Sequence, residues 1–302
     1  MDDAELSVKA RALAAVIEPF AAQVYFSPEC HAGYAGLGFG PSPRERNGVA
    51  QPDGPAYFCS RGSLLGQVSG ELVASAFAVF NPSVVTPAVR FGWSITDAKT
   101  IERARTEGAI AQLIRILGPE PAGVERLRDV LGLASASLPV AGKPLYAGVL
   151  AQDVPSSPMG AAWRFADRLR EYRGDAHTAS WTSAGFDAVE IGLLTELYWG
   201  LPLKTYARSR AWSGAELDDG IRRLEERGLV RDGSFTERGK EEREAVEVAT
   251  DRQCRPVIES LGDEFDNVIK LLAPMGREIR AQCGYPAAGP RDMTGRPTAE
   301  AV

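Results

Sequence analysis

Apolar residues return every three or four positions along much of this chain, so most of it is predicted to be helical. In residues 5–25 the recurring positions are Leu6, Ala10, Leu13, Ile17, Phe20 and Val24, the stripe of an amphipathic helix. Ser27 and Pro28 open a second helix, with proline at its first position, and the glycine-rich stretch 36–40 closes it. Residues 41–55 are rich in Pro, Gly, Arg, Glu, Asn and Asp without periodicity and read as an exposed loop. Residues 62–80 are dense in small and apolar side chains and read as one helix buried on most sides, stopped by Asn81 and Pro82. Asp97 caps a helix carrying Ile101, Ala104, Ile110, Leu113, Ile114 and Leu117, and residues 124–138 form another. Residues 145–151 suit a short helix or strand, 155–158 a hinge, and 159–181 a long helix. Asp187 caps the segment 188–199, and a further helix is expected over 203–211.

The clearest local signals follow. Ser213 and Glu216 make a capping box, since the serine oxygen can accept from the amide three residues on and the glutamate can reach back. The helix they start carries Leu217, Ile221 and Leu224 on one face, and Gly228 stands where a left-handed C-cap is expected. Leu229 and Val230 open a strand, Asp232 and Gly233 form a two-residue turn, and Phe235 and Thr236 return. A single long helix is then predicted through Val246, Ala249, Val257, Leu261, Phe265, Ile269 and Leu272. The order of helix, small wing and long helix resembles MarR-type regulators, on the words RRLEERGLV at 222–230 and FTERG at 235–239. That resemblance implies dimerisation through the long helix, whose apolar stripe is longer than a wing would cover.

At 302 residues with 44% apolar content the chain can hold one large or two ordinary domains. No apolar run is long enough for a membrane helix, and the acidic start, with Asp2, Asp3 and Glu5, does not suit a signal peptide, so a cytoplasmic protein without a membrane partner is expected. The four cysteines lie apart and read as reduced structural thiols; with two histidines in the whole chain, no metal site is expected, and no cofactor is indicated. The net charge of −6 opposes general nucleic-acid binding. Residues 212–243 themselves hold nine acids against seven bases, and the presumed recognition helix begins with Glu216, Asp218 and Asp219. Lys204, Arg208, Arg210, Arg222 and Arg223 are the candidates for DNA contact, which is expected to be weak.

Candidate chemistry centres on His177. Arg173 stands one helical turn before it, Trp181 one turn after, and Asp175 two residues away. A histidine so flanked can titrate near neutrality and hold a ligand or accept a proton, although a packing histidine would look the same. Glu244, Glu247 and Asp251 line one face of the C-terminal helix, either as solvated surface or as one wall of a polar cleft opposite the histidine-bearing helix. Glu29, Arg61 and Glu71 sit among apolar neighbours, which implies internal pairing or a pocket lining. Gly36, Gly38 and Gly40 lack the strand and helix of a phosphate loop.

Longer phrases extend the likeness to nearly the whole chain: YFSPE at 25–29, FCSR at 58–61, FAVFNP at 77–82, REYRGDAH at 170–177 and EVATD at 247–251. Over residues 14–272 the chain resembles an actinobacterial family of helix-turn-helix proteins, one that supplies no catalytic assignments to transfer. The resulting expectation is a mainly α protein with a helical N-terminal domain at 1–140, a long helix and winged-helix domain with a small two-stranded wing at 141–283, and a disordered tail at 284–302. No internal repeat is evident, though the N-terminal half could hide a diverged second winged helix. The expected function is binding of a small molecule by His177, Arg173, Trp181, Glu247, Asp251, Glu29 and Arg61, coupled to transcriptional regulation in a homodimer. An enzyme using His177 with Asp175 or Asp251 as acid and base is one alternative, and a protein-interaction module is another.

Overall fold

The computed structural model describes residues 1–290. They are mainly helical, with two hairpins of two-residue strands. The predicted first helix forms as α1 (Asp3–Ala22), and Asp2 caps it. A 3₁₀ turn, Gln23–Phe26, leads into α2 (Pro28–Leu37), whose cap Ser27 accepts from the Cys30 amide. The loop expected at 41–55 contains a hairpin, β1 (Glu45–Arg46) and β2 (Val49–Ala50), turned by Asn47 and Gly48 at φ of 49° and 76°. That is the backbone an Asn-Gly pair favours, and it buries Val49, Ala50 and Gln51.

The single helix predicted over 62–80 shortens to α4 (Gly70–Phe77), with α3 (Gly54–Gly62) ending where it was expected to begin and a 3₁₀ turn, Ser63–Leu65, between them, because Gly66 turns the chain at φ 80° and Ser69 caps anew. Asn81 and Pro82, read as a stop, in fact start α5 (Pro82–Ile95): Asn81 accepts from the Ser83 amide and Pro82 occupies the first turn. α6 (Ala98–Leu117) and α7 (Val124–Ala136) follow as predicted. α6 crosses α2 closely, since a Cβ on Gly108 would lie 2.6 Å from the Cys30 backbone. α8 (Pro144–Leu150) is the short helix, and α9 (Pro158–Ser183) the long one.

The winged helix consists of α10 (Ala188–Tyr198), α11 (Gly214–Glu226), and a wing of β3 (Val230–Arg231) and β4 (Ser234–Phe235). Both expected capping elements form, at Asp187 and at Ser213, and Asp232 and Gly233 turn the wing at φ of 50° and 72°. The helix expected over 203–211 shrinks to a 3₁₀ turn, Ala207–Arg210. Its preceding loop wraps the buried carboxylate of Glu196, which accepts from the Lys204 and Ala207 amides at 2.7 and 2.6 Å.

The long C-terminal helix is broken into α12 (Glu237–Gln253), α13 (Arg255–Leu261) and α14 (Phe265–Ala281). Pro256 interrupts the hydrogen-bond ladder, and Gly262, at φ 49°, turns the chain. The stripe expected at a dimer interface is therefore folded inward. Val257, Leu261, Phe265 and Leu272 are buried in the same apolar cluster as Leu6 and Leu13 of α1 and Leu127 and Leu131 of α7. The tail read from Gly284 onward is likewise packed at its start: the Tyr285 ring meets Phe26, and its hydroxyl donates to Glu18 at 3.1 Å. Residues 291–302 lie outside the described residues.

Two apolar clusters result. The first joins α1–α9 to α13 and α14; the second gathers Trp181, Phe186, Ile191, Leu194, Leu217, Leu224, Leu229 and Val246 around the winged helix. α9 belongs to both, through Trp163 and Tyr172 at one end and Trp181 at the other. Residues 254–279 thus pack with the N-terminal helices rather than with the wing. Among the described residues no helix is long and apolar enough to cross a membrane.

Candidate functional site

α9 and α12 lie against each other, and the face of α12 that repeats at 243, 247, 250 and 251 turns toward Arg173 and His177 of α9. Arg173 donates to Glu247 at 3.1 Å and to Asp251 at 3.2 Å. Arg243 donates to Glu247 at 2.8 Å, and its guanidinium lies over the Tyr198 ring. α1 contributes Arg11, which binds Asp251 at 2.7 Å and Glu244 at 2.6 Å. Three guanidiniums and three carboxylates thereby close on one another, and Arg173, Arg243 and Glu247 of this network lie next to His177. The sequence placed Arg173, His177, Glu247 and Asp251 together; it gave no sign of Arg11, which lies 240 residues from its partner.

His177 Nδ1 lies 3.2 Å from the Thr250 hydroxyl, which itself donates to the Val246 carbonyl. With that hydroxyl proton committed, the network assigns the imidazole proton to Nδ1 and leaves the Nε2 lone pair open. Burial holds His177 down to about 4 and the Arg243 and Arg173 charges add to this, against the pull of Glu247. The ring is neutral at pH 7. Burial works against the charged form of Glu247, but Arg243, His177 and Arg173 outweigh it and hold this carboxyl down to about 2. Asp251, whose side chain is fully buried, is pushed up by burial despite Arg11 and Arg173.

The other candidates lie elsewhere. Asp175 accepts from the Tyr146 amide at 2.9 Å, at the start of α8, and burial pushes it up to about 7. Two residues along a helix are roughly 200° apart, so Asp175 cannot face α12 as His177 does. Trp181 sits in the second apolar cluster, its indole N–H buried without a partner. Glu29 pairs with Arg115 on α6, at 2.5 Å. Arg61 grips Glu171 of α9 with two bonds, of 3.1 and 2.7 Å, beneath Phe77. Glu71, read as enclosed, is exposed and stands 3.8 Å from Arg90.

Sequence reasoning missed a second charged seam within the first apolar cluster. Arg105 and Asp167 are both fully buried and pair at 2.9 Å. Arg164 meets Glu102 at 2.6 Å, while Glu171 receives Arg61, Arg170 and the Tyr25 hydroxyl. Its signal was present on α9, where Arg164, Asp167, Arg168, Glu171 and Asp175 recur at helical spacing on a helix that also buries Trp163 and Tyr172.

The expected DNA-contacting residues cluster at the winged helix, and most are engaged. Lys204 pairs with Asp218 at 2.5 Å, Arg222 with Asp219 and Glu226, and Arg223 with Asp187, Asp219 and Glu190. Arg210 stacks between Phe80 and Tyr206, 4.6 Å from each ring centre. Arg208 and Arg231 are exposed and make no ion pair among the described residues. A shallow groove of about 320 Å³, lined by Asp187, Val189, Trp212, Glu216, Asp219 and Arg223, runs beside α11.

Comparison with known proteins matches residues 10–286 to a family described as a helix-turn-helix family. No curated protein and no solved structure matches the chain. The match spans nearly all of the described structure, α1 through α14, and agrees with the winged helix built by α10, α11 and the wing: the chain belongs to this helix-turn-helix family.

Proposed function

We propose that this chain is a cytoplasmic, regulator-type winged-helix protein that holds a small molecule at the polar seam between α9 and α12 and contacts DNA only weakly. The observation that carries this reading is His177. It presents a neutral ring whose Nε2 is open, beside Arg173, Arg243 and Glu247 of a wider ion-pair network, on the helix that links the two apolar clusters. A ligand suited to it offers an N–H or O–H to Nε2 and charged or polar groups to Arg11, Arg173 and Glu244. Because α12 leaves the wing directly, a rearranged ion pair there bears on the position of the wing. The MarR likeness supports the regulatory half of the reading. The acid–base alternative is disfavoured: Asp175 faces away, Asp251 is held by two arginines, and a ring near 4 is a poor base at pH 7.

Native mass spectrometry of freshly purified protein, paired with a thermal-shift screen of polar metabolites, tests the proposal. The wild-type chain should retain or be stabilised by a small molecule, and His177→Ala should lose that response. The variant should melt within a few degrees of wild type, since about 1 kcal/mol moves a domain of this size by roughly 2–4 °C. Equal ligand response in both proteins would contradict the site; unfolding of the variant with no separable loss of binding would assign His177 to packing.

A further inference from the structure

The connection between α4 and α5 reaches out of the first apolar cluster and grips the start of the recognition helix. The Asn81 amide donates to the Arg210 carbonyl at 3.0 Å. Its side chain donates to the Ala211 carbonyl at 3.3 Å and to Glu216 at 3.4 Å. Trp212 donates in return to the Val79 carbonyl at 2.9 Å, and Phe80 carries the Arg210 guanidinium. Ala78 and Val79 pack onto the second cluster.

Both sides of this contact hold an alanine in a conformation that L residues rarely adopt. Ala78 has φ 49° and ψ −55°, with the Val79 amide on the Phe77 carbonyl at 2.5 Å, which is the strained form of the γ-turn. Ala211 has φ 65° and ψ 23°. Glycine would suit either position better, and neither has one. Strain of this kind persists only where the surroundings impose it, and it collects at switching segments.

In a helix-turn-helix protein the first turn of the recognition helix is the end that meets base edges. Here residues 78–81 occupy the approach to that end, and Phe80 holds one of the arginines that would meet phosphate. We propose that residues 78–81 form an autoinhibitory latch: docked, they withhold the start of α11 and Arg210 from DNA, and release presents both. This inference rests on the DNA-contacting reading above, and the latch can fail independently of it.

Trp212→Phe removes the latch hydrogen bond to Val79 and keeps an aromatic side chain at the position. Asn81→Ser keeps a cap for α5 and is too short to reach Ala211. Neither changes charge. Hydrogen exchange of amides 211–216 and fluorescence anisotropy on a mixed-sequence duplex are to be read on both variants and wild type, with circular dichroism to check folding. Each variant should exchange faster in that segment and bind DNA tighter, by about five-fold for Trp212→Phe, the effect of removing one neutral hydrogen bond from the closed state, and by at least as much for Asn81→Ser, which gives up the bonds to both Ala211 and Glu216. Unchanged exchange overturns the latch, and faster exchange with unchanged affinity overturns its gating role while leaving DNA binding intact. If neither wild type nor variant binds any duplex, the DNA reading falls and the gating falls with it. Should one variant misfold, the other decides.

Discussion

Asp175 and His177 stand two residues apart on α9 and respond to burial in opposite senses. Asp175 is raised from 3.8 to about 7, so its contribution is complete below pH 3.8 and is lost as pH rises through 7. His177 is lowered from 6.5 to about 4, so its contribution is complete above pH 6.5 and is lost as pH falls through 4. Across the shared window the two slopes oppose each other. Asp175→Asn keeps an acceptor for the Tyr146 amide and removes the ionisation, so it should stabilise the protein at pH 7 by roughly 1–3 kcal/mol. It should also steepen the loss of stability on acidification from pH 7 to 4. Urea melts at several pH values check both effects; a pH profile parallel to wild type would show that Asp175 does not titrate in this range. The buried pair deeper on α9 gives a sharper contrast. Arg105→Met should cost about 3–5 kcal/mol by leaving the buried Asp167 carboxyl without its ion-pair partner, and adding Asp167→Leu should recover most of that loss. Chemical denaturation of the single and double variants separates pairing from packing. These pairs also show what could be read in advance: residues four apart on one helix announce a shared face, while a partner such as Arg11 for Asp251, or Arg61 for Glu171, is set by how helices cross and leaves no mark in spacing.

Elements with strong local chemistry were legible. The Asp187 cap, the Ser213 capping box, the Asp-Gly wing turn and the periodic faces of α1 and α6 all formed where the chain's own preferences put them. Errors fell where helical periodicity continued across a break. Gly66 turns the chain within the small and apolar run at 62–80, and Pro256 and Gly262 divide the expected long helix although its apolar stripe runs through both of those breaks. The region 203–211 failed for another reason: its amides bind a carboxylate from α10 instead of one another. Glu196 has a fully buried side chain, raised by burial against the amides of Ala207, Lys204, Thr205 and Tyr206 that favour its charge. Glu196→Ala should leave two buried amides without an acceptor and cost on the order of 3 kcal/mol, with loss of hydrogen-exchange protection over 203–211. If that loop stays protected in the variant, another group organises it.

Across the whole molecule the separation of an N-terminal half from a C-terminal half was only partly legible. The two apolar clusters interleave in sequence, because α13 and α14 return to α1 and α7 after the winged helix has been built. That return covers the stripe on which MarR-like dimerisation was expected. What remains accessible is a winged helix whose basic residues are largely neutralised by Asp187, Glu190, Asp218, Asp219 and Glu226. Phosphate contacts release counterions only where a cation is available to make them, and few are. The most direct test is anisotropy of the wild-type chain on a random-sequence duplex library, titrated across salt concentration. Dissociation constants of about 1 μM or weaker are expected at physiological salt, with a log–log salt slope of roughly −2 to −3 and little sequence preference. Nanomolar, sequence-specific binding at that salt, with a slope steeper than about −6, would show that the basic residues of the winged helix are free to meet phosphate.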